Sequence, residues 1–356
     1  MGECVVRWGP SAGPAGFGTG AEGCDLPTLQ RVCARYGAWP HGDDEDLRGA
    51  VLAGVTRSQS ADWRAKVTWV FELGESLVPG DCYAAAAKRP AAVPSFEWLK
   101  SQHQLDPNPD DRAMMEGVAA AGDVAAAAWL LRDGVRPFGR LHAVRHGQLA
   151  ILKLLHAKPE RYVIPVPYLA LEEPRMLTGA AAKSAQLEIL RWLHETFGPA
   201  ALDDTGTKGG DSPSYIFTPL TELAAWSGDV EVLEWLRERG CPLGECLWAA
   251  AADAGCEAML ERLDEWQVAK PASGTPFLTA ARAGDAHTLR VLHRLGVPSG
   301  PPRIFTHAVA QAPLPALQLL LELSGTEVDW AAAEAARRLY LEETDRLWKE
   351  AKEQRV

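Results

Sequence analysis

Small and apolar positions recur along this chain in one pattern from about residue 110 onward. Most copies have an alanine-rich run, and each has two variable residues, a small residue, and then an apolar residue five and eight positions later. Gly122 leads to Ala127 and Leu130, Gly147 to Leu152 and Leu155, Ala185 to Leu190 and Leu193, and Gly228 to Leu233 and Leu236. Gly255 leads to Leu260 and Leu263, Gly284 to Leu289 and Leu292, and Ala312 to Leu317 and Leu320. Thirteen of these fourteen positions are Leu, which chance does not explain. A spacing of three puts both side chains on one helix face. The pattern therefore predicts pairs of helices joined at the small residue. Gly134, Gly240 and Gly296, twelve residues after their anchors, predict where second helices end.

The clearest copy is Thr275–Pro298, TPFLTAARAGDAHTLRVLHRLGVP. Thr275-Pro276 suits a first helical turn, where proline wastes no N–H. Gly284-Asp285 breaks the first helix, and Gly296 with Pro298 stops the second, which carries Leu289, Leu292 and Leu295. The run from Thr275 to Gly284 resembles the ankyrin repeat, whose opening reads T-P-L-x-x-A-A-x-x-G. Leu278 stands where that family usually has His, and Thr218-Pro219-Leu220 echoes the opening with one extra residue before Ala224. The resemblance covers Asp110–Trp330 well and Leu26–Leu105 weakly. It implies an all-α, ankyrin-like α-solenoid of about 8–10 helix-turn-helix repeats. Several units of 25–29 residues are shorter than the family's, so its fingers are expected to be short turns. Helical pairs of another solenoid class fit the same pattern.

The anchors are separated by 25, 38, 43, 27, 29 and 28 residues, and the two long gaps mark insertions. The expected organisation is a flexible Gly/Pro/Ala-rich leader over 1–24 and degenerate N-terminal repeats over 25–109. A repeat array follows over 110–329, with loop insertions at 158–176 and 198–217. A capping helix over 330–356 closes the chain, with Glu342/Arg346, Arg346/Glu350 and Lys349/Glu353 at i,i+4. Insertions in repeat arrays collect on one edge, often the binding edge, although loop length is also cheap and tolerated.

Composition narrows the function classes. The net charge of −11 argues against a general nucleic-acid binder, which needs a basic face. No apolar run reaches the roughly 18–20 residues that cross a bilayer. Seven cysteines without a regular framework read as free thiols in a reducing compartment. MGECVVRW lacks the apolar stretch of a signal peptide, and Val6 stands where a myristoylation signal has Ser or Thr. The expected location is cytoplasmic, and the expected state alone is a monomer.

Catalytic and metal motifs do not emerge. His142 and His146 are spaced i,i+4, but no Glu follows His142 as in H-E-x-x-H. Cys241, Cys246 and Cys256 lack C-x-x-C spacing. Thr205–Asp211, TGTKGGD, lacks the spacing of a phosphate loop. The expectation is no enzyme, no metal and no cofactor.

The two variable residues before each anchor are more informative. In ankyrin proteins these face the concave groove and commonly touch partners. The resemblance therefore implies a partner-binding set of Arg145, His146, Lys183, Trp226 and Arg282. Basic groups with one large aromatic, in an acidic chain, suit an acidic, aromatic-containing protein segment. Solubilising charge around a Trp packed under a finger explains the same residues. The leading expectation is a non-catalytic interaction scaffold or adaptor. A structural subunit of a large assembly, or an enzyme with its site in the inserted loops, are the alternatives.

Overall fold

The computed structural model describes residues 14–36, 45–73, 79–89, 92–103, 106–108, 112–157, 169–202, 218–301, 303–324, 331–335 and 337–338. The described residues form α-helices and one 3-10 turn, with no strand among them. The protein is all-α. It divides into two compact units, Met1–Pro167 and Tyr168–Val356. That division falls inside the insertion expected at 158–176.

Unit 1 contains α1 (Pro14–Gly23), α2 (Leu26–Tyr36), α3 (Glu45–Arg57), α4 (Trp63–Glu72) and α5 (Pro79–Ala86). It continues with α6 (Val93–His103), α7 (Arg112–Ala121), α8 (Val124–Arg132), α9 (Arg140–Arg145) and α10 (Leu149–His156). The odd-numbered helices pack in series, α1 on α3, α3 on α5, α5 on α7 and α7 on α9. The even-numbered helices form a second row, with α6 on α8 and α8 on α10.

Unit 2 contains α11 (Leu169–Lys183), α12 (Leu187–Phe197), α13 (Leu220–Ser227), α14 (Val230–Glu238) and α15 (Leu247–Asp253). Then come α16 (Glu257–Glu265), α17 (Thr275–Ala283), α18 (Ala286–Arg294), α19 (Arg303–Gln311) and α20 (Leu314–Ser324). It repeats the arrangement: α11, α13, α15, α17 and α19 pack in order, and α14, α16, α18 and α20 lie beside them in a second row.

The sequence pattern accounts for these rows. The fourteen positions five and eight residues after each anchor are all buried, none more than 4% exposed. The alanines three and four residues before an anchor, such as Ala181-Ala182, Ala224-Ala225 and Ala280-Ala281, are equally buried. Their small size lets first helices approach closely, and the leucines then fill the space beneath. Each fully buried Leu contributes about 1.5–3 kcal/mol of transfer free energy.

The turns are as regular as the core. Between α17 and α18, Gly284 N–H donates to Ala281 O and Asp285 N–H to Ala280 O, the paired bonds of a Schellman motif. The same pair closes α15 onto α16 and α11 onto α12. It requires positive φ, and Gly284 has φ 72°. Ala185 adopts φ 56° in the equivalent place, where a Cβ is strained. Asp123, Asp229 and Asp285 then cap α8, α14 and α18, each accepting from a backbone N–H two or three residues on.

Two expectations need correction. Residues 1–24 were expected to be a flexible leader, but 14–23 form α1 and pack on α3. The glycines that suggested flexibility allow contact instead: a Cβ at Gly18 would lie 2.8 Å from Ala50 O. The insertion expected at 158–176 overlaps structure too, since 169–176 is the first part of α11, with Pro174 inside the helix. In the second insertion, Pro199–Leu202 is the 3-10 turn, with Ala201 and Leu202 buried. Residues 158–168 and 203–217, the rest of both insertions, lie outside the described residues. So does most of the capping helix expected at 330–356, of which 331–335 and 337–338 are helical.

Candidate functional site

The buried alanine pair fixes which side of each first helix faces outward. With Ala181-Ala182 and Ala224-Ala225 inside, the next residue on each helix, Lys183 and Trp226, is pushed to the surface. Lys183, Trp226 and Arg282 are exposed in unit 2, and Arg145 and His146 are exposed in unit 1. Trp226 is 37% exposed, whereas Trp63, Trp129, Trp235 and Trp248 are all at 7% or less. A Trp packed under a finger would be covered like those, so the exposure separates Trp226 from the core.

Lys183 and Trp226 come together because α11 packs on α13. The Lys183 ammonium stands 5.9 Å from the Trp226 ring centre, within cation–π range. Gly179, one turn before Lys183, abuts α13, and a Cβ there would lie 3.3 Å from Leu223 Cδ1. Met176, another turn earlier, is 44% exposed. Helix phase sets Met176, Gly179 and Lys183 along one side of α11, and that side meets α13 at Leu223 and Trp226. Arg282 lies on α17, separated from α13 by α15, whose equivalent residue is the exposed Asp253. Arg145 and His146 belong to unit 1 and form no part of this contact.

Met176 and Leu223 were not singled out from sequence. They lie nine and five residues before their anchors, where the repeat sets no residue type. An apolar residue at an outward helical position was the available signal, and it needs the helix phase to be recognised.

Burial, and then the nearby Glu222 carboxylate, push the Cys246 thiol up, away from the reactive thiolate. Cys33 and Cys82 are pushed to about 11 and about 12, chiefly by burial. The six described cysteines are free. His142 stands 3.9 Å from Glu116 and is half-buried, while His146 is exposed. Among the described residues no group of three or more His, Cys, Asp or Glu could hold a metal ion. No described helix is long and apolar enough to cross a membrane.

No protein-family model matches the chain, and neither does any curated protein sequence.

Proposed function

We propose that the protein is a non-catalytic interaction scaffold or adaptor, built as an ankyrin-like α-solenoid with short turns in place of long fingers. The observation that carries this reading is the exposed Trp226 with Lys183 over its ring, where Trp63, Trp129, Trp235 and Trp248 are buried. Trp and Arg are among the residues that most often dominate binding energy. The partner is a protein segment carrying carboxylates and an aromatic or aliphatic anchor. The anchor lies on Met176, Leu223 and Trp226, and carboxylates meet Lys183 and Arg282. The cytoplasm is the proposed location, and the chain alone is proposed to be a monomer. The structural-subunit reading has no separate observation in its favour, and residues 158–168 and 203–217 of the insertions that an enzyme reading needs lie outside the described residues.

The test is an affinity capture from the native source with the wild-type chain and with Trp226→Ala/Arg282→Ala. The expected result is a partner retained by the wild type and lost by the variant, with the melting temperature unchanged. A variant that unfolds, or one that keeps every partner, defeats the assignment of these residues to binding.

A further inference from the structure

Trp63 opens α4 and Trp98 lies within α6, and their rings meet edge to face with centres 4.9 Å apart. Two guanidinium groups rest against this pair. Arg89, in the turn after α5, has its Cζ 4.1 Å from the Trp63 ring centre. Arg64 has its Cζ 5.5 Å from Trp63 and 5.9 Å from Trp98. Attraction to the ring faces explains why the cations are held there. It does not neutralise them, and the rings offer no acceptor in the plane of a guanidinium. Nε and Nη1 of Arg89 are buried without a hydrogen-bond acceptor. Burial, and then the charge of Arg64, hold the Arg89 guanidinium below its ordinary value.

Several other arginines on this acidic chain have acids beside them. Arg57 pairs with Glu22, Arg262 with Glu234 and Glu265, and Arg294 with Glu257 and Glu261. Among the described residues no carboxylate pairs with Arg64 or Arg89. Two cations that repel each other, one of them half-buried, are unfavourable in that state. An anion shared by both guanidiniums would relieve that repulsion.

We propose that Arg64 and Arg89, framed by Trp63 and Trp98, form a binding site for a phosphate monoester group. The charge of such a group at neutral pH, roughly −1.5 to −2, matches two guanidiniums, whereas a carboxylate leaves one uncompensated. Guanidinium forks match its oxygens, and the indoles exclude water from one side, which strengthens each bond. Arg64 is exposed and held by its ring contacts alone, so a turn of its side chain lets it share one phosphate with Arg89. This site lies in unit 1 and is independent of the Trp226 patch.

Isothermal titration of the full chain decides the matter, with N-acetyl-phosphoserine amide, N-acetyl-glutamate amide and inorganic phosphate as probes. The phosphoserine amide should bind at least about tenfold more tightly than the glutamate amide. Arg64→Gln and Arg89→Gln should each weaken it about tenfold or more, with Arg64→Lys between them and the wild type. Circular dichroism checks folding, and Arg64→Gln is the deciding variant because its side chain is exposed. Inorganic phosphate binding as tightly as the phosphoserine amide assigns the site to free phosphate. Weaker binding assigns it to a phosphorylated protein segment, and both outcomes keep a phosphate site. Equal or tighter binding of the glutamate amide, or full binding by Arg64→Gln, overturns the proposal.

Discussion

The helices α1–α4 and the helices α13–α18 reach similar paired packing by different chemistry. In α13–α18 each element repeats its neighbour's solution. Leucines fill the interior, and second helices end in a Schellman motif followed by a buried residue. Cys241 N–H donates to Leu236 O, Val268 N–H to Leu263 O, and Val297 N–H to Leu292 O. Neighbouring second helices are also linked by charge, with Arg262 3.1 Å from Glu234, and Arg294 2.7 Å from both Glu257 and Glu261. These exposed pairs add little individually.

In α1–α4 a buried lysine joins an apolar core that includes Leu29, Val55, Val67 and Val70. Lys66 is fully buried, and its ammonium donates to Ala21 O at 3.1 Å, Cys24 O at 2.5 Å and Ser58 Oγ at 2.9 Å. Two of these acceptors are carbonyls at the end of α1, where a positive charge also suits the helix dipole. Ser58 in turn donates to Glu22 O at 2.6 Å. A regular repeat spreads its stability over many equivalent apolar contacts. The N-terminal helices add to such contacts one buried polar group, whose loss leaves several partners unsatisfied.

Removing that group should have the largest effect. Lys66→Ala strips the cation from buried carbonyls and leaves a cavity, so it should cost about 4 kcal/mol in urea unfolding. Burial holds the Lys66 ammonium below its ordinary value of 10.5, against the smaller opposing pull of Asp62. The unfolded chain therefore binds this proton more tightly than the folded one. Between the lowered folded value and 10.5 the group's contribution to stability rises with pH. The difference in stability between wild type and Lys66→Ala should widen in that direction, and a constant difference would show that burial does not perturb Lys66.

Leu289→Ala comes next, at about 3 kcal/mol, because it opens a cavity under α17 and α18. Hydrogen-exchange protection should fall first in 275–297 and in the adjoining pairs. Equal loss along the whole chain would contradict neighbour-to-neighbour stabilisation.

The smallest change sharpens the comparison from the other side. Gln267 has φ 55° where α8, α14 and α18 end in glycine. Gln267→Gly should therefore raise stability by about 1 kcal/mol, read as a higher melting temperature. No gain would mean that the cost of ordering glycine offsets the relieved strain.

The repeats were legible in sequence because their determinants are local. Thr275–Gly296 contains its own start, its turn glycine, its two buried leucines and its stop. Outward positions such as Trp226 and Lys183 follow from the same phase. What pairs across helices was not legible. Nothing in residues 9–23 announces that Gly18 will meet Ala50, and Lys66 reads as an ordinary surface charge until α1 supplies its carbonyls. Trp63, Arg64, Arg89 and Trp98 carry no motif at all.

The sequence by itself determined the all-helical class, the helix-pair period and the leucines inside, because each depends on residues within one or two turns. Only the tertiary structure decided that Gly179 brings Leu223 and Trp226 against the Met176–Lys183 side of α11, that a lysine closes α1, and that two arginines share a tryptophan pair. Those outcomes depend on groups tens of residues apart, whose proximity is set by packing rather than by any local preference.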